Sequence, residues 1–561
     1  MLNNEVNMRT SAEVCSQIAS YFAVVDNCIA VSDTNKQYTV NPQTSYSPSP
    51  PINRGSYTSV IISPNTHNTA DLYNGFIRAD LELSSITIDT ALAAVKFKTA
   101  TTNTALGSNL GKFHRVWFGF KDARDAVEKY EIVANGSTIY TQNYGCEESF
   151  LTGCCANETT KRADVYSKAR HKDIWDYKSG ARCGVVIDWP SDGATLKYEK
   201  KPIIHLKIDL RRFLPLSNIK YLPAFAGKIE LRLYFSCAAL LCCPVGLPKD
   251  LRKDPKTLSL LTLCPITNEF TPISENIVMW TNPDFISTRS EDTTKPGTYI
   301  YTESKLANGL ASNYRKFTID DYRVVECMSI IPCFGIESNV YNSLVQRYAN
   351  PSHPLTFPTQ TMSFYTTTKA LTNDEDKATI TITPRFVDSI FCLFPLHNGH
   401  RTYFKNPSFK SFQLNCGNYG NIPAKPFSTD GNKPEFLEYC QNAMNMNGEQ
   451  SGFNKEVVAS LCNVKKHKED ITGYYSDDRS SFFIGLSTET DGTYQQGLTS
   501  LSPINFELIV SQDKTKDDFA SQVDTPPLLC LLYDSNISIL VRANGMPPKV
   551  VIGNYDMTTP E

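Results

Sequence analysis

His397 and His400, three residues apart, with Cys392 just before them and Cys416 beyond, are the residues best typed for metal chemistry. A structural zinc site closes with four nitrogen or sulfur ligands, usually spaced as tight pairs. Here the histidines flank the Asn-Gly pair 398–399, which is turn chemistry and not a helix face. The expectation is a surface hairpin over a core cysteine, with no metal and no cofactor. Two carboxylate pairs, Glu147–Glu148 and Asp320–Asp321, have the types needed for acid–base work. Neighbours on a strand leave by opposite faces, so pairs placed on strands cannot converge on one bond. The chain has no G-x-S-x-G, no P-loop and no G-x-G-x-x-G, and no catalytic residue is assigned.

The elements around these residues read as strands. Leu206, Ile208 and Leu210 alternate with Lys207, Asp209 and Arg211, and Ile229, Leu231 and Leu233 with Lys228, Glu230 and Arg232. Such alternation marks strands with one buried and one wet face. Ile77–Leu83 and Ile380–Ile382 follow the same rule. Between the first two strands lies a connection carrying Phe213, Leu214, Leu216, Ile219, Tyr221, Leu222 and Phe225. So much apolar surface needs a cover: either the loop folds over its own sandwich, or another surface closes on it. Helix signals are few. Thr10 and Glu13 form a capping box ahead of Val14, Ile18, Phe22 and Val25 on one face. Short helices are expected at 121–129, 338–349 and 434–446, and the proline-bearing stretch 41–56 is expected to be extended. The class is all-β, built of sandwiches.

An internal repeat organises the strands. Leu206, Ile208 and Leu210 align with Phe482, Ile484 and Leu486, and Ile229, Leu231 and Leu233 with Ile504, Phe506 and Leu508. Trp117 and Phe120 align with Phe391 and Phe394, and 131–137 more weakly with 411–418. The next strand lies near Val325 in the first copy and near Leu532 in the second. The first copy therefore holds an insertion, placed at about 238–316. The expected organisation is an N-terminal helix and arm over 1–60, a first sandwich over 61–340 and a second over 341–561.

Composition narrows the function classes. At 561 residues the chain exceeds one ordinary core. A net charge of −3 argues against binding nucleic acid through bulk charge. No apolar run approaches the roughly 20 residues of a membrane span. The N-terminal residues lack the pattern of a secretion signal, so the sequons at Asn135, Asn157 and Asn536 are expected to be chance matches. The 17 cysteines are odd in number and include the vicinal pairs Cys154–Cys155 and Cys242–Cys243, which suits reduced thiols inside a cell.

The segment Leu214-Pro215, Tyr221-Leu222-Pro223, Gly227 and Ile229-Glu230-Leu231-Arg232-Leu233 resembles a region of the Polinton/Maverick and virophage-type major capsid proteins, of the adenovirus-like capsid lineage. Residues 113–137 resemble the strands that precede it there. The resemblance is thin, spans about 75–555 and rests on block order. The sequence departs from it in the 238–316 insertion and in the polar loop 488–503 of the second copy. It implies two tandem eight-stranded jelly rolls in a homotrimer that forms a pseudo-hexameric capsomer of an icosahedral virion, assembled inside a host cell. The implied partners are neighbouring capsomers and a single-jelly-roll penton or minor capsid protein. The N-terminal helix, on its extended tether, has to dock either on its own subunit or across a boundary; the resemblance implies the base of the shell, where it would pin a neighbour or a cementing protein. The competing class is a glycan-binding or glycan-cleaving β-sandwich, which needs aromatics exposed on a concave face or loop rim as sugar platforms; Trp117, read as mid-strand, and Trp175, Trp189 and Trp280, in long loop regions, do not decide it.

Overall fold

A computed structural model describes residues 11–38, 44–46, 57–64, 69–83, 86–88, 96–98, 103–105, 115–118, 123–155, 187–188, 197–198, 203–235, 242–245, 285–291, 299–305, 317–319 and 322–350. In the second half it describes 353–395, 404, 406–407, 409–429, 434–443, 482–488, 497–512, 526–542 and 546–553. The first half opens with helix α1 (Ser11–Cys28), followed by β1 (Ile29–Tyr38), β2 (Thr44–Tyr46), β3 (Thr58–Ile61), β4 (Thr69–Asp71) and β5 (Phe76–Leu83). Next come β6 (Val127–Ala134), β7 (Ser137–Gln142), helix α2 (Gly145–Cys155), β8 (Ile203–Asp209), β9 (Tyr221–Pro223), β10 (Ile229–Phe235) and β11 (Tyr322–Ile336). Helix α3 (Ser338–Tyr348) leads into the second half.

That half holds β12 (Leu355–Thr366), β13 (Glu375–Ile382), β14 (Val387–Leu393), β15 (Ser411–Cys416), β16 (Asn421–Phe427) and helix α4 (Pro434–Ala443). It closes with β17 (Ile484–Ser487), β18 (Ile504–Ser511), β19 (Leu528–Leu540) and β20 (Lys549–Gly553).

The two halves share one strand order. In the second, one sheet runs β12-β19-β14-β17 and the other β13-β18-β15-β16. In the first, β11 lies between β5 and the pair β1 and β2, with β8 beyond β5, and the facing sheet runs β3-β10-β6-β7. In both halves the last strand pairs with the first and third, and the seventh with the second and fourth. This is the two-sheet Greek-key arrangement of a jelly roll, and it occurs twice. β4 and β9 extend the first copy, and β20 extends the second.

The alternating segments read from sequence are strands of this frame. β10 and β18 occupy the same place in their halves, each wet on one face with burial strictly alternating over its length. β8 pairs with β5, and β17 with β14, so the alignment of Leu206–Leu210 with Phe482–Leu486 joins equivalent strands.

Two expectations are corrected, and one helix is added. Residues 115–118 pair with 187–188 and 242–245 outside the two sheets; the strand equivalent to Phe391 is β5, not the segment with Trp117. β5 keeps a charged outer face, with Arg78 bonded to Asp80 at 2.6 Å and near Glu326 at 3.3 Å, whereas β14 is buried on both faces. Their patterns therefore do not align by eye. The helix expected at 121–129 is only a 3-10 turn at Ala123–Ala126, after which Val127 enters β6. A helix does form at α2, which was not anticipated.

Of the N-terminal helix and arm expected over 1–60, residues 1–10, 39–43 and 47–56, and so most of the stretch 41–56 expected to be extended, lie outside the described residues. α1 runs into β1 with no intervening residue, and β1 and β2 pair with β11. α1 buries Ile18, Tyr21 and Val25 in its own chain, with Tyr21 against Tyr348 and Phe357, and Phe22 against Tyr221. Lys220 and Tyr221 both bond Asp26 at its exposed end. No helix among the described residues is long and apolar enough to cross a membrane.

Candidate functional site

Among the described residues, those singled out for chemistry are not assembled into a reactive site. His397, His400, Asp320 and Asp321 lie outside the described residues, as do Asn157, Trp175, Trp189, Trp280 and the side chain of Trp117. Cys392 and Cys416 are fully buried in the second core, near Cys440. Burial pushes the Cys416 and Cys440 thiols up to about 12, and Cys392 up as well. These are protonated packing groups, since nucleophiles and metal ligands need the thiolate. Among the described residues no group of three or more His, Cys, Asp or Glu side chains could hold a metal ion. Asn135 and Asn536 are taken up by the fold: the first bonds backbone atoms of two loops, and the second is buried in β19.

Glu147 and Glu148 do matter, in a way their spacing on a strand would not allow. They sit in the first turn of α2, where acidic side chains complement the exposed amides of a helix start. Both are buried. Glu148 accepts hydrogen bonds from Tyr130 Oη (2.9 and 3.0 Å), Gln142 Nε2 (2.9 Å) and the backbone N–H of Leu214 (3.3 Å). The Arg124 guanidinium lies 3.6 Å away, and both side chains are 0% exposed. Arg124 is further held by the Val127 carbonyl at 3.1 Å and by the faces of Phe213 and Tyr130, at 4.3 and 4.9 Å. Burial raises the Glu148 pKa, while Arg124 and the three donors oppose that shift. Ser149 donates to Asp125 at 2.7 Å, tying α2 again to the 3-10 turn.

This polar cluster stands at the seam between the two jelly rolls. Gln142 Nε2 also donates to the Met362 carbonyl in β12 at 3.0 Å. Thr359 Oγ1 donates to the carbonyls of Pro215 (2.8 Å) and Leu214 (3.2 Å). The apolar loop 210–226 is therefore buried against its own chain. Phe213, Leu216, Ile219, Tyr221 and Leu222 join the first core, while Leu214 enters the second beside Phe150 and Leu151 of α2. Phe150 meets Phe404 with ring centres 4.6 Å apart. In return Leu355, Phe357, Ile537 and Ile539 of the second half pack into the first core. Of the two covers considered for this loop, the structure has the intramolecular one.

A second clasp lies at the β6–β7 turn. Asn135 donates to the Pro548 carbonyl (2.9 Å) and accepts from Lys228 N–H (2.9 Å). Gly227 beside it has φ +80°, and a Cβ there would lie 2.4 Å from Asn135 Oδ1. Gly227→Ala should therefore cost about 1–3 kcal/mol, from left-handed strain plus the displaced amide. A urea midpoint unchanged from wild type would show that the clasp yields freely.

What the arrangement can do is mechanical. It fixes two sandwiches of like topology in one registration, with helices α1 and α3 closed over the joint. No protein-family model matches the chain, and no curated protein matches it. Among solved structures, the chain is similar to one from the cryo-EM structure of the Sputnik virophage, at TM-score 0.46 and 10% identity, covering 94% of this chain and 90% of that one. It is also similar to PBCV-1 VP54 fitted into a reconstruction of Sputnik, at TM-score 0.42 and 8% identity, covering 93% and 98%. A third is the Faustovirus major capsid protein, at TM-score 0.36 and 7% identity, covering 97% and 100%.

Proposed function

We propose that this chain is a major capsid protein: a structural subunit that trimerises into a pseudo-hexameric capsomer and builds an icosahedral virion. The observation that carries the reading is the duplicated jelly-roll order, locked by an internal seam. Three chains, each holding two like sandwiches side by side, place six similar bodies around an axis, which is the outline that tiles a shell. The buried joint supports a load-bearing wall better than a catalyst: its charged groups are spent on one another and on backbone atoms. The sequence resemblance of 205–235 to virophage-type capsid proteins points the same way.

In this reading 61–340 and 341–561 are the two rolls, with the boundary near α3, and 238–316 decorates the first. Residues 29–38 and 44–46 join the first roll by strand pairing, so the arm reduces to α1 and what precedes it. Neighbouring capsomers and a single-jelly-roll penton protein are the partners, the virion is the location, and the thiols stay reduced. The test is the native mass of the purified protein. Three times the 62.7 kDa of one chain is expected, and a monomer at every concentration would refute the trimer.

A further inference from the structure

The β6–β7 turn is the pair Asn135–Gly136. An asparagine followed by glycine is open to loss of its amide, because no Cβ on the next residue hinders its backbone nitrogen. That nitrogen attacks the asparagine Cγ: an N–Cγ bond forms, the Cγ–Nδ2 bond breaks, the amide proton passes to a solvent base and ammonia leaves. Water then adds to either carbonyl of the cyclic imide and yields aspartate or its backbone isomer. A fold permits this only if the nitrogen can approach and the side-chain amide can turn.

Here the first condition is met and the second is withheld. Gly136 is exposed, and a Cβ on it would meet no atom within 4 Å. Asn135 has φ +51°, in the left-handed region that asparagine tolerates, and its side chain is clamped on both sides. Nδ2 donates to the Pro548 carbonyl at 2.9 Å and the Ala226 carbonyl at 3.4 Å, while Oδ1 accepts from Lys228 N–H at 2.9 Å. The pair Asn74–Gly75 differs, because there the nitrogen itself is engaged. Gly75 N–H donates to the Leu72 carbonyl at 3.3 Å, and a Cβ on Gly75 would lie 2.8 Å from Leu210 Cδ1.

We propose that Asn135–Gly136 is a deamidation site gated by the clasp between the two rolls, and that its conversion to aspartate opens that clasp in one direction only. The closed clasp protects the amide that makes it, and each local opening of the joint frees that amide to react. The rate therefore follows the population of the open clasp, not the exposure of the turn. Conversion replaces the Nδ2 donor with a carboxylate oxygen facing the carbonyls of Pro548 and Ala226. Neither carbonyl can donate to it, so a charge would stand unpaired where a hydrogen bond held the second roll, and the clasp cannot close again.

The test incubates the full chain in mildly alkaline buffer, folded and in urea, and follows amide-to-acid conversion at each asparagine by peptide mass spectrometry. In urea Asn135 and Asn74 should convert at like rates, since glycine follows both. In the folded chain Asn135 should still convert, at least about 10-fold more slowly than in urea, while Asn74 stays intact. Gly227→Ala, which crowds Asn135 Oδ1, should raise the folded-state rate at Asn135 at least about 3-fold, with circular dichroism confirming the fold. Converted and unconverted wild-type fractions, parted by ion exchange, need no variant. Hydrogen exchange over 549–553 should be faster in the converted fraction, with β13 and β18 alike in both. Equal rates in folded and unfolded chain, a folded Gly227→Ala no faster than wild type, or Asn74 keeping pace with Asn135 in the folded chain would overturn the gate. A folded chain that never converts at Asn135 would overturn the site. Equal exchange over 549–553 in the two fractions would show that the clasp survives the charge, and would overturn the one-way opening.

Discussion

Replacing Glu148 with leucine is expected to lower the unfolding free energy by about 3–5 kcal/mol, the usual cost of leaving one partner of a buried ion pair alone. Arg124 would keep its charge at 0% exposure and lose the carboxylate beside it. Leu214 N–H and Gln142 would also lose their shared acceptor. The damage should concentrate at the seam, because the same carboxylate holds α2, β6, β7 and the 210–226 loop. Urea unfolding of the two proteins at neutral pH measures it. A loss below about 1 kcal/mol would show that Arg124 finds other partners at little cost.

Glu148→Gln separates charge from shape. Burial raises the folded-state pKa of Glu148 above its ordinary value. The part of its contribution that depends on holding a proton is therefore complete below the ordinary carboxylate range and is lost as pH rises through the raised value, while the contacts of the ionised carboxylate remain. Glutamine does not titrate, so the stability of Glu148→Gln relative to wild type should improve as pH rises above about 4.5.

Tyr21→Ala should cost about 3–5 kcal/mol, the range for emptying a large aromatic site. Tyr21 is the buried centre of the α1 contact, with Tyr348 of α3 and Phe357 of β12 edge-on at 6.3 and 6.0 Å. Those partners belong to the linker helix and the second roll, so α1 staples the joint from outside. Against a typical total of 5–15 kcal/mol, either substitution removes a large share. Hydrogen exchange should report faster opening of 338–348 in Tyr21→Ala, with β14 and β18 little changed. Equal acceleration throughout would mean that the two rolls unfold as one unit, with α1 no special tie.

Much of the fold was legible in the sequence because half-buried strands write their environment into a two-residue alternation. β8, β10 and β18 have one wet face each, and their apolar triplets reveal both the strands and the duplication. Legibility fails where that contrast disappears. β14 and β19 are buried on both faces, so β14 carries no alternation to align with β5, and an aromatic segment near Trp117 drew the match instead. The seam was illegible for another reason. Its contacts join Glu148 to Leu214 and Gln142 to Met362, residues far apart in the chain, and a buried carboxylate looks like any other in sequence. The one local hint was Glu147–Glu148 behind Gly145, an acidic first turn. The apolar loop did announce that something must cover it, but its length and composition could not say that its own sandwich, α1 and the chain's second half would share the task.

Six lobes around a threefold axis are what the duplicated fold must produce if the chain builds capsomers. Class averages of the purified protein by electron microscopy view that directly. The account predicts particles of three chains with a hexagonal outline and alternate joints closed by the seam described here. Single two-lobed particles at all concentrations, or rings with any number of lobes other than six, would contradict it.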